Sequence, residues 1–199
     1  MSKFVLRLPI TALILVMTFS FTGCGGGSGG GGGDDEKPTG PRGVWEVRQA
    51  IRYDSDWKEL DSVEFPDPLE IDDISGEVKE HLYYGFDNKE FREYVKFTFS
   101  GIDASEAKTL KDEHGIEENV FWYEVIADDC TIEGNTVSYK DLDIDAMVKM
   151  EFEITEKQAI ITRTTTPLGS PDHITARGKI VAEWYGSSVS NAQLIPDDE

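Results

Sequence analysis

The chain has 199 residues, and its 39 acidic against 19 basic side chains give a formal net charge of −20. This acidity argues against nucleic acid and anionic lipid surfaces as partners of the folded part, because both carry negative charge themselves. About 145 residues remain once both ends are set aside, which is enough for one compact domain and too few for two.

Residues 1–23 have the parts of an export signal in the usual order. Lys3 and Arg7 give a positive start, Leu8 to Phe21 form an apolar run, and Gly23 ends it with a small residue. The run is shorter than the roughly 20 apolar residues that a membrane-spanning helix needs. We therefore interpret residues 1–23 as a signal peptide, with a permanent transmembrane segment as the alternative.

The sequence Phe-Thr-Gly-Cys at residues 21–24 closes this segment. It resembles the lipobox of bacterial lipoproteins, in which the cysteine is lipid-modified at sulfur, the chain is cut before it, and the new amino group is acylated. The resemblance implies that Cys24 is the first residue of the mature protein and anchors it to a membrane. An ordinary signal peptide that ends before a cysteine by chance is the alternative.

The same resemblance implies a location for the protein. Lipoproteins reside in the cell envelope, and Gly25 in place of an aspartate after the cysteine implies release from the inner membrane. In a host with two membranes, the protein is then expected at the outer membrane, on its periplasmic or its surface side.

Residues 24–42 are predicted to form a tether. Positions 25–33 are glycine except for Ser28, and an acidic cluster follows at 34–36. Glycine-rich chains are flexible coils, and the stretch from Gly25 to Pro41 has an rms span of roughly 20 to 25 Å. The glycines do not read as a phosphate-binding loop, because no predicted strand precedes them and no Gly-Lys-Ser or Gly-Lys-Thr follows.

From residue 43 to residue 186 the sequence predicts one all-β domain, in which β-branched and aromatic residues alternate with polar ones. About eight strands in sequential hairpins favour an antiparallel up-and-down barrel, with a β-sandwich as the alternative, because alternation cannot distinguish closure from stacking. Residues 187–199 are expected to be a flexible tail. The predicted strands are Val44–Tyr53, Glu80–Phe86, Phe91–Ser100, Val120–Ala127, Thr136–Tyr139 and Arg177–Tyr185, with a further hairpin within 146–165.

Two segments depart from the strand pattern. Residues 103–115 predict a short helix, with Asp103 as N-cap, Glu106 completing a capping box, and Gly115 as terminator. We expect it to be a solvated lid or edge cover. The polar segment 54–79 is too irregular for a strand and is expected either to cross one mouth of the barrel or to form a mobile insertion.

The opening Gly-Val-Trp at residues 43–45 has a counterpart in known β-barrels. It resembles the start of lipocalin-like or calycin barrels, where the tryptophan packs across the barrel base under a basic residue from the last strand. The resemblance implies this role for Trp45 and makes Arg177 the candidate partner. The alternative for Trp45 is an ordinary core aromatic.

The hairpin at 146–165 gives the sharpest prediction about the interior. Apolar side chains at positions 148, 150, 152 and 154 share one face, and charged ones alternate with them. A turn at Glu156 and Lys157 sets Met150 opposite Arg163, so the Arg163 side chain is predicted to point inward.

An inward guanidinium needs an anion or a hydrogen-bond network, because burial of an unpaired charge is unfavourable. We expect Arg163 to bind the acidic group of an amphipathic ligand. Pairing with an interior acid such as Glu93, or a register slip that turns Arg163 to solvent, are the alternatives. The apolar part of the ligand is expected to lie along Val95, Phe97, Phe99, Phe152 and Trp184.

The sequence contains no recognisable catalytic motif. Cys130 is the only other cysteine, and a lipidated Cys24 cannot pair with it, so a buried free thiol is expected. Neither a Gly-x-Ser-x-Gly elbow nor a His-Glu-x-x-His pair occurs, and nothing near His81, His114 or His173 supports a Cys-His nucleophile. We expect no enzyme activity and no cofactor.

The acidic stretch at 141–145 has the opening spacing of an EF-hand loop. Such a loop needs glycine at its sixth position and glutamate at its twelfth, where this chain has Ala146 and Phe152. We therefore predict no metal site and interpret the stretch as a solvated turn, with weak calcium binding by its carboxylates as the alternative.

Taken together, the predictions describe a lipid-anchored envelope protein with a non-catalytic barrel that binds a small apolar or amphipathic ligand. The alternative is a filled barrel that acts as a protein–protein interaction or scaffolding module. The expected partners are the membrane through the lipid on Cys24, a small lipophilic ligand, and an envelope protein.

Overall fold

The computed structural model describes residues 37–195 apart from 88, 128, 142–143 and 171–172. The predicted signal peptide, Cys24 and most of the tether lie outside the described residues. Among the described residues, α1 spans Ala104–His114, and the strands are β1 (Gly43–Tyr53), β2 (Glu59–Glu64), β3 (Asp67–Leu69), β4 (Glu77–Phe86), β5 (Phe91–Ser100), β6 (Phe121–Ala127), β7 (Cys130–Glu133), β8 (Thr136–Asp141), β9 (Ala146–Thr155), β10 (Gln158–Pro167), β11 (Ala176–Gly186) and β12 (Gln193–Leu194).

The strands form one continuous sheet in the order β12-β6-β5-β4-β1-β11-β10-β9-β8-β7, with β2 beside β1 and β3 beside β4. Every pair is antiparallel except β12 with β6. The all-β prediction is confirmed. The order is that of an up-and-down meander in which the first strand, β1, pairs with β11.

The predicted closed barrel of eight strands is not what forms, because the sheet stays open between β6 and β7. Other contacts occupy both sides of this opening. The outer edge of β6 is taken by β12, whose Gln193 and Leu194 lie opposite Trp122 and Tyr123. On the other side of the seam, β7 begins with the Cys130 N–H donating to the Lys89 carbonyl, in the β4–β5 connection, at 2.7 Å.

The sheet is nevertheless strongly curled, so that its inner face packs against itself. The Phe91 ring on β5 lies 5.3 Å from that of Tyr139 on β8, and Phe86 on β4 lies 5.4 Å from Phe152 on β9. These pairs are far apart in the strand order. The inner face therefore encloses one hydrophobic core.

The β9–β10 hairpin has the register that the sequence predicts. Met150 lies opposite Arg163 and Phe152 opposite Ile161, and residues along both strands alternate between buried and exposed or partly exposed. The turn residue Glu156 has a φ of 57°, in the left-handed region that tight hairpin turns use.

The segment predicted to cross a mouth or to be mobile belongs to the sheet instead. β1 pairs with β4 only over residues 43–46, and beyond this point β2 pairs with β1 and β3 with β4. The turn into β2 is organised by Asp54, whose carboxylate accepts the N–H groups of Asp56 and Lys58 at 2.9 Å. The mainly exposed side chains of β2 hide this pairing in the sequence.

The short helix forms where the sequence predicts it. The Asp103 carboxylate accepts the N–H groups of Ser105 and Glu106, the Glu106 side chain returns to the Asp103 N–H, and Gly115 ends the helix with a φ of 67°. Leu110 is fully buried, as is Ile116 just after the helix. Although most of its surface is polar, α1 therefore contributes to the core.

A flexible tail was predicted after residue 186, but its described part, residues 187–195, packs on the outer face of the sheet. On the outer face of the sheet, Val44, Tyr83, Tyr94 and Phe121 form a second buried cluster, against which Val189 and Ala192 pack. β12 follows, and the Ile195 N–H donates to the Tyr123 carbonyl at 3.0 Å. Covering these aromatic side chains removes apolar surface from water, which explains why the segment folds back.

Candidate functional site

The inner face of the sheet has two apolar ends with polar side chains between them. We define the base end as Trp45, Phe86, Phe91, Phe152 and Trp184, and the helix end as Val78, Phe97, Phe99, Leu110 and Ile116. The polar layer between them consists of Tyr84, Glu93, Tyr139 and Arg163. Its members come from four strands that the curl of the sheet brings together.

Arg163 enters the polar layer from β10. Its side chain projects from between Met150 on β9 and Gly178 on β11, and only 6% of the residue is exposed. Its positive charge acts on Tyr84 and Glu93, on the facing strands β4 and β5, and on Tyr139, two strands away on β8. The inward direction predicted from the sequence is therefore correct.

The guanidinium of Arg163 is not fully paired within the described residues. Its Nε and Nη2 atoms are buried without a hydrogen-bond partner, and the Tyr139 hydroxyl lies beside the guanidinium, whose charge and hydrogen bond oppose the rise in the pKa of Tyr139. No carboxylate of the described part lies within ion-pair distance of Arg163, although Glu93 interacts with it at longer range. Buried polar groups in folded proteins are nearly always hydrogen-bonded, so this group of unpaired donors is unusual.

Glu93 faces Arg163 across the core. It lies opposite Tyr84 on β4 and Glu124 on β6, so three inward polar side chains form a row across adjacent strands. Burial raises the pKa of the Glu93 carboxyl to about 8, with further contributions from the negative charges of Glu124 and Glu80 and an opposing one from Arg163. At neutral pH most Glu93 side chains are therefore uncharged.

The two tyrosines of the polar layer are also held in their neutral form. Burial raises the pKa of Tyr139 to about 12 and raises that of Tyr84 still further. Both keep their O–H proton over the whole physiological range. The polar layer thus offers an arginine, two phenols and a mostly protonated carboxyl, all of which can donate hydrogen bonds.

A second buried acid lies nearer the helix end. Glu80 is 4% exposed, and burial together with the neighbouring charge of Asp67 raises its pKa to about 7. Glu80 lies opposite Phe97 in the β4–β5 pair. Glu80, Tyr84 and Tyr139 were not predicted as site residues, although the alternation of β4 and β8 indicates that they share the inner face.

The five apolar residues expected along a ligand do not form one wall. Phe97 and Phe99 belong to the helix end with Val95 beside them, whereas Phe152 and Trp184 belong to the base end. The Trp45 ring lies 6.0 Å from Phe152 and 5.2 Å from Trp184. Phe152 and Trp184 are therefore occupied in packing the base.

Trp45 closes the base but not with the partner expected for it. It is fully buried, lies opposite Trp184, and donates its indole N–H to the Pro41 carbonyl at 2.9 Å. Arg177 lies at the other end of β11, opposite Tyr53, because the strands are antiparallel. The Arg177 guanidinium instead stacks 4.8 Å from the Trp57 ring, and its Nε donates to the Ser55 carbonyl.

A groove of about 410 Å³ opens beside the helix end, lined by residues 68–77. Leu69, Ile71 and Ile74 of this segment pack against the core. Ser75 ties the segment to the start of α1, since its N–H and hydroxyl both donate to the Glu106 carboxylate, at 2.7 and 2.6 Å.

Other chemistry is sparse in the described part of the chain. Cys130 is a buried free cysteine, and burial raises the pKa of its thiol to about 11, so it is a poor nucleophile. No described cluster of three histidine, cysteine or acidic side chains is arranged to bind a metal ion. Two residues of the acidic stretch, Leu142 and Asp143, lie outside the described residues.

No helix within residues 37–195, as far as they are described, combines the length and apolar character needed to span a membrane. Comparisons of the chain with protein-family models, with curated proteins and with solved structures gave no match. The polar layer is accordingly interpreted from its own geometry.

Proposed function

We propose that this protein is a lipid-anchored envelope protein whose β domain binds a single-chain amphiphile with an acidic headgroup and does not transform it. The observation that carries the proposal is Arg163. Only 6% of this residue is exposed, and two nitrogen atoms of its guanidinium have no hydrogen-bond partner.

The energetic argument concerns the charge of Arg163. Burial of a charge without a close counter-ion is strongly unfavourable, whereas a bidentate contact with a carboxylate satisfies both the charge and the unpaired N–H groups. A bound acidic headgroup would accept hydrogen bonds from the Nε and Nη2 atoms of Arg163 and from the Tyr139 hydroxyl. Ligand binding would therefore complete the polar layer.

The chemistry of the two apolar ends favours one direction for the ligand chain. The base end is filled by aromatic rings in mutual contact. The helix end has Phe97 and Phe99 on the sheet and is bordered by the groove at 68–77. The apolar part of the ligand would extend from Arg163 toward the helix end, with the groove as the route of entry.

The membrane anchor is the second part of the proposal and depends on the sequence alone. Cys24 would carry the lipid, and residues 25–42 would separate the domain from an outer membrane. Replacement Cys24→Ser should abolish incorporation of labelled palmitate and release the protein from membranes. Unchanged labelling would contradict the anchor and would leave the ligand proposal standing.

We propose that the domain is related to lipocalin-like barrels. The order of β4, β5, β6 and of β8 to β11, with β1 between the two sets, would match such a barrel if β6 and β8 were paired. An open seam at this position does not prevent binding, because the interior is still enclosed by the curl of the sheet.

Native mass spectrometry of the protein extracted from membranes tests the ligand. The native chain and the Arg177→Met variant, which loses an arginine outside the polar layer, should retain an acidic lipid adduct. Arg163→Met should lose it. If no adduct is found and a panel of fatty acids shows no binding to the native chain, the ligand proposal is wrong.

A second candidate function is a filled domain that acts as a protein–protein interaction or scaffolding module. The ring packing of the base end favours it, since Trp45, Phe86, Phe91 and Phe152 leave little of their surface exposed. Cross-linking in intact envelopes should then capture one defined partner with native protein and with Arg163→Met alike. Loss of the cross-link in Arg163→Met would instead favour the ligand-binding function.

A further inference from the structure

We propose that Glu93 decides whether Arg163 accepts a ligand: the uncharged Glu93 leaves the guanidinium available to an anionic headgroup, and the ionised Glu93 competes with that headgroup. The inference deepens the proposed function and rests on it. On this inference, Glu93 determines the pH range in which the protein binds an ionised acid, because binding requires the uncharged form of Glu93.

The geometry puts Glu93 in the right position for this competition. Glu93 lies on the inner face of β5 two residues after Phe91, whose ring is 5.3 Å from that of Tyr139 on the facing wall, and Arg163 enters from β10 on that same wall. The charges of Glu93 and Arg163 act on each other across the core. The headgroup of a ligand on Arg163 would lie between these two walls. A negative charge on Glu93 and one on the ligand would therefore meet at the same guanidinium.

Charged and titratable groups reach Glu93 from every strand that contributes to this part of the core. Glu124 lies next to it on β6 and Tyr84 on β4, Glu80 acts on it from further along β4, and Arg163 faces it from β10. On β8, Tyr139 is sensitive to the charge of Glu93, and Asp141 lies near Tyr139. Arg163 is the only cation in this group.

The charge balance explains why the proton on Glu93 matters. Glu124 and Glu80 repel a negative charge on Glu93, and burial opposes it more strongly than either, so the pKa of Glu93 stands at about 8 despite Arg163. While Glu93 keeps its proton, the positive charge of Arg163 has no negative charge on Glu93 to balance it, and the guanidinium attracts an anion. Once Glu93 ionises, its negative charge offsets the positive charge of Arg163 at longer range, and a second carboxylate is repelled.

A fluorescent probe, dansyl-undecanoic acid, provides the test. The protein is the mature chain with Cys24→Ser, which differs from the anchored protein only by the lipid and the sulfur. The affinity for the probe is measured from about pH 6 to about pH 10, and the methyl ester of the same probe serves as the uncharged control. Binding of the acid should exceed binding of the ester by at least about tenfold at neutral pH.

The expected dependence of the probe affinity on pH follows from the ionisation of the Glu93 carboxyl group. The affinity of the native chain should be nearly constant up to about pH 8 and should then fall about tenfold per pH unit, because only the protonated form of Glu93 permits binding. In Glu93→Gln the side chain keeps a donor and cannot ionise, so the affinity should stay flat to the end of the range. Equal profiles for the native chain and Glu93→Gln would overturn the inference.

Two further variants keep the test decisive if Glu93→Gln folds poorly. Glu124→Gln removes the larger of the two repulsive charges, so the decline in affinity should begin at a lower pH than in the native chain. Glu80→Gln removes the smaller one and should produce a smaller shift in the same direction. A decline that neither variant moves would contradict the role of Glu93.

The two levels of the proposal fail in different ways. If the native chain binds neither probe, or if Arg163→Met binds as well as the native chain, the proposed function is wrong. If the native chain binds the acid through Arg163 but with a profile that Glu93→Gln and Glu124→Gln leave unchanged, only the inference about Glu93 is wrong.

Discussion

The base end and the polar layer of the same core follow opposite principles. In the base end each large side chain has a complementary neighbour, and the one polar atom of Trp45 is hydrogen-bonded to Pro41. In the polar layer, a few residues along the same strands, Arg163 keeps unpaired buried donors. The comparison indicates that the base end contributes stability, whereas the polar layer reduces it.

The largest effect should come from removing the centre of the base end. Trp45→Ala should lower the free energy of unfolding by about 3–5 kcal/mol, because it deletes the fully buried ring against which Phe152 and Trp184 pack. Urea unfolding followed by far-UV circular dichroism measures the loss. Trp57→Ala, at an exposed turn, is the control and should change stability by less than about 1 kcal/mol.

Gly43→Ala should have the next largest effect. Gly43 has a φ of 107°, and a Cβ atom there would lie 2.1 Å from Cη2 of Trp184. Both the backbone conformation and the clash oppose a side chain, so we expect a loss of about 2–3 kcal/mol. Gly134→Ala provides the control, since Gly134 also has a positive φ but has open space around it. A loss no larger than that of the control would show that ring contact at Gly43 is unimportant.

A smaller effect of opposite sign is expected in the polar layer. Arg163→Met should raise the free energy of unfolding by about 1–2 kcal/mol, because it replaces a buried, incompletely paired cation by an apolar chain of similar length. The same urea experiment without added ligand measures it. Destabilisation by this variant would mean that Arg163 is well paired in the free protein, and the contrast between the two regions would be lost.

The last effect depends on pH and concerns the inward acids Glu80 and Glu93. In the folded protein Glu80 and Glu93 have pKa values raised to about 7 and about 8, whereas in the unfolded chain they ionise near 4.5. The unfolded chain therefore binds fewer protons between these values, so stability should fall as pH rises from about 4.5 to about 8. The slope is expected to be about 1 kcal/mol per pH unit for each acid.

The double variant Glu80→Gln, Glu93→Gln should flatten this profile. Matched urea titrations at several pH values compare it with the native chain. Asp103→Asn at the exposed helix cap controls for general effects of removing a carboxylate and should leave the slope in place. A native profile that is already flat over this range would show that the buried acids are ionised in the folded protein.

The hairpin at β9 and β10 shows what local sequence can predict. Strict alternation fixes the buried face, and a two-residue turn at Glu156 and Lys157 fixes the register, so the inward direction of Arg163 follows from neighbouring residues alone. The helix follows equally well from its caps. In both cases the determining contacts are between residues close in the chain.

Long-range pairing was harder to predict, for two physical reasons. Arg177 was assigned to Trp45 without knowledge of the β1–β11 register, which includes shifts at Val44/Trp45 and Val47/Gln49. β12 consists of two residues, and its pairing with β6 depends on apolar cover for the outer aromatic cluster more than on any pattern of its own. For the same reason, local alternation alone did not predict the opening of the sheet.

The polar layer lies between these two cases. The alternation of inward and outward positions on β5 and β10 predicts that Glu93 and Arg163 face the same core, but it does not predict that they lie at the same depth within it. Tyr84 and Tyr139 join them only because the sheet curls until β4 and β5 face β8 and β10. The curvature of the whole sheet determines which inner-face side chains come into contact. No short stretch of sequence determines that curvature.

The hydrogen bond from Trp45 to Pro41 has a consequence for orientation. It shows that the polypeptide enters the domain at the base end, while the groove at 68–77 borders the opposite end of β4. If the proposed lipid on Cys24 holds the chain at a membrane, the attachment is at the base end of the domain. The groove would then open at the far end, and the proposed ligand would exchange with the surrounding compartment rather than with the bilayer.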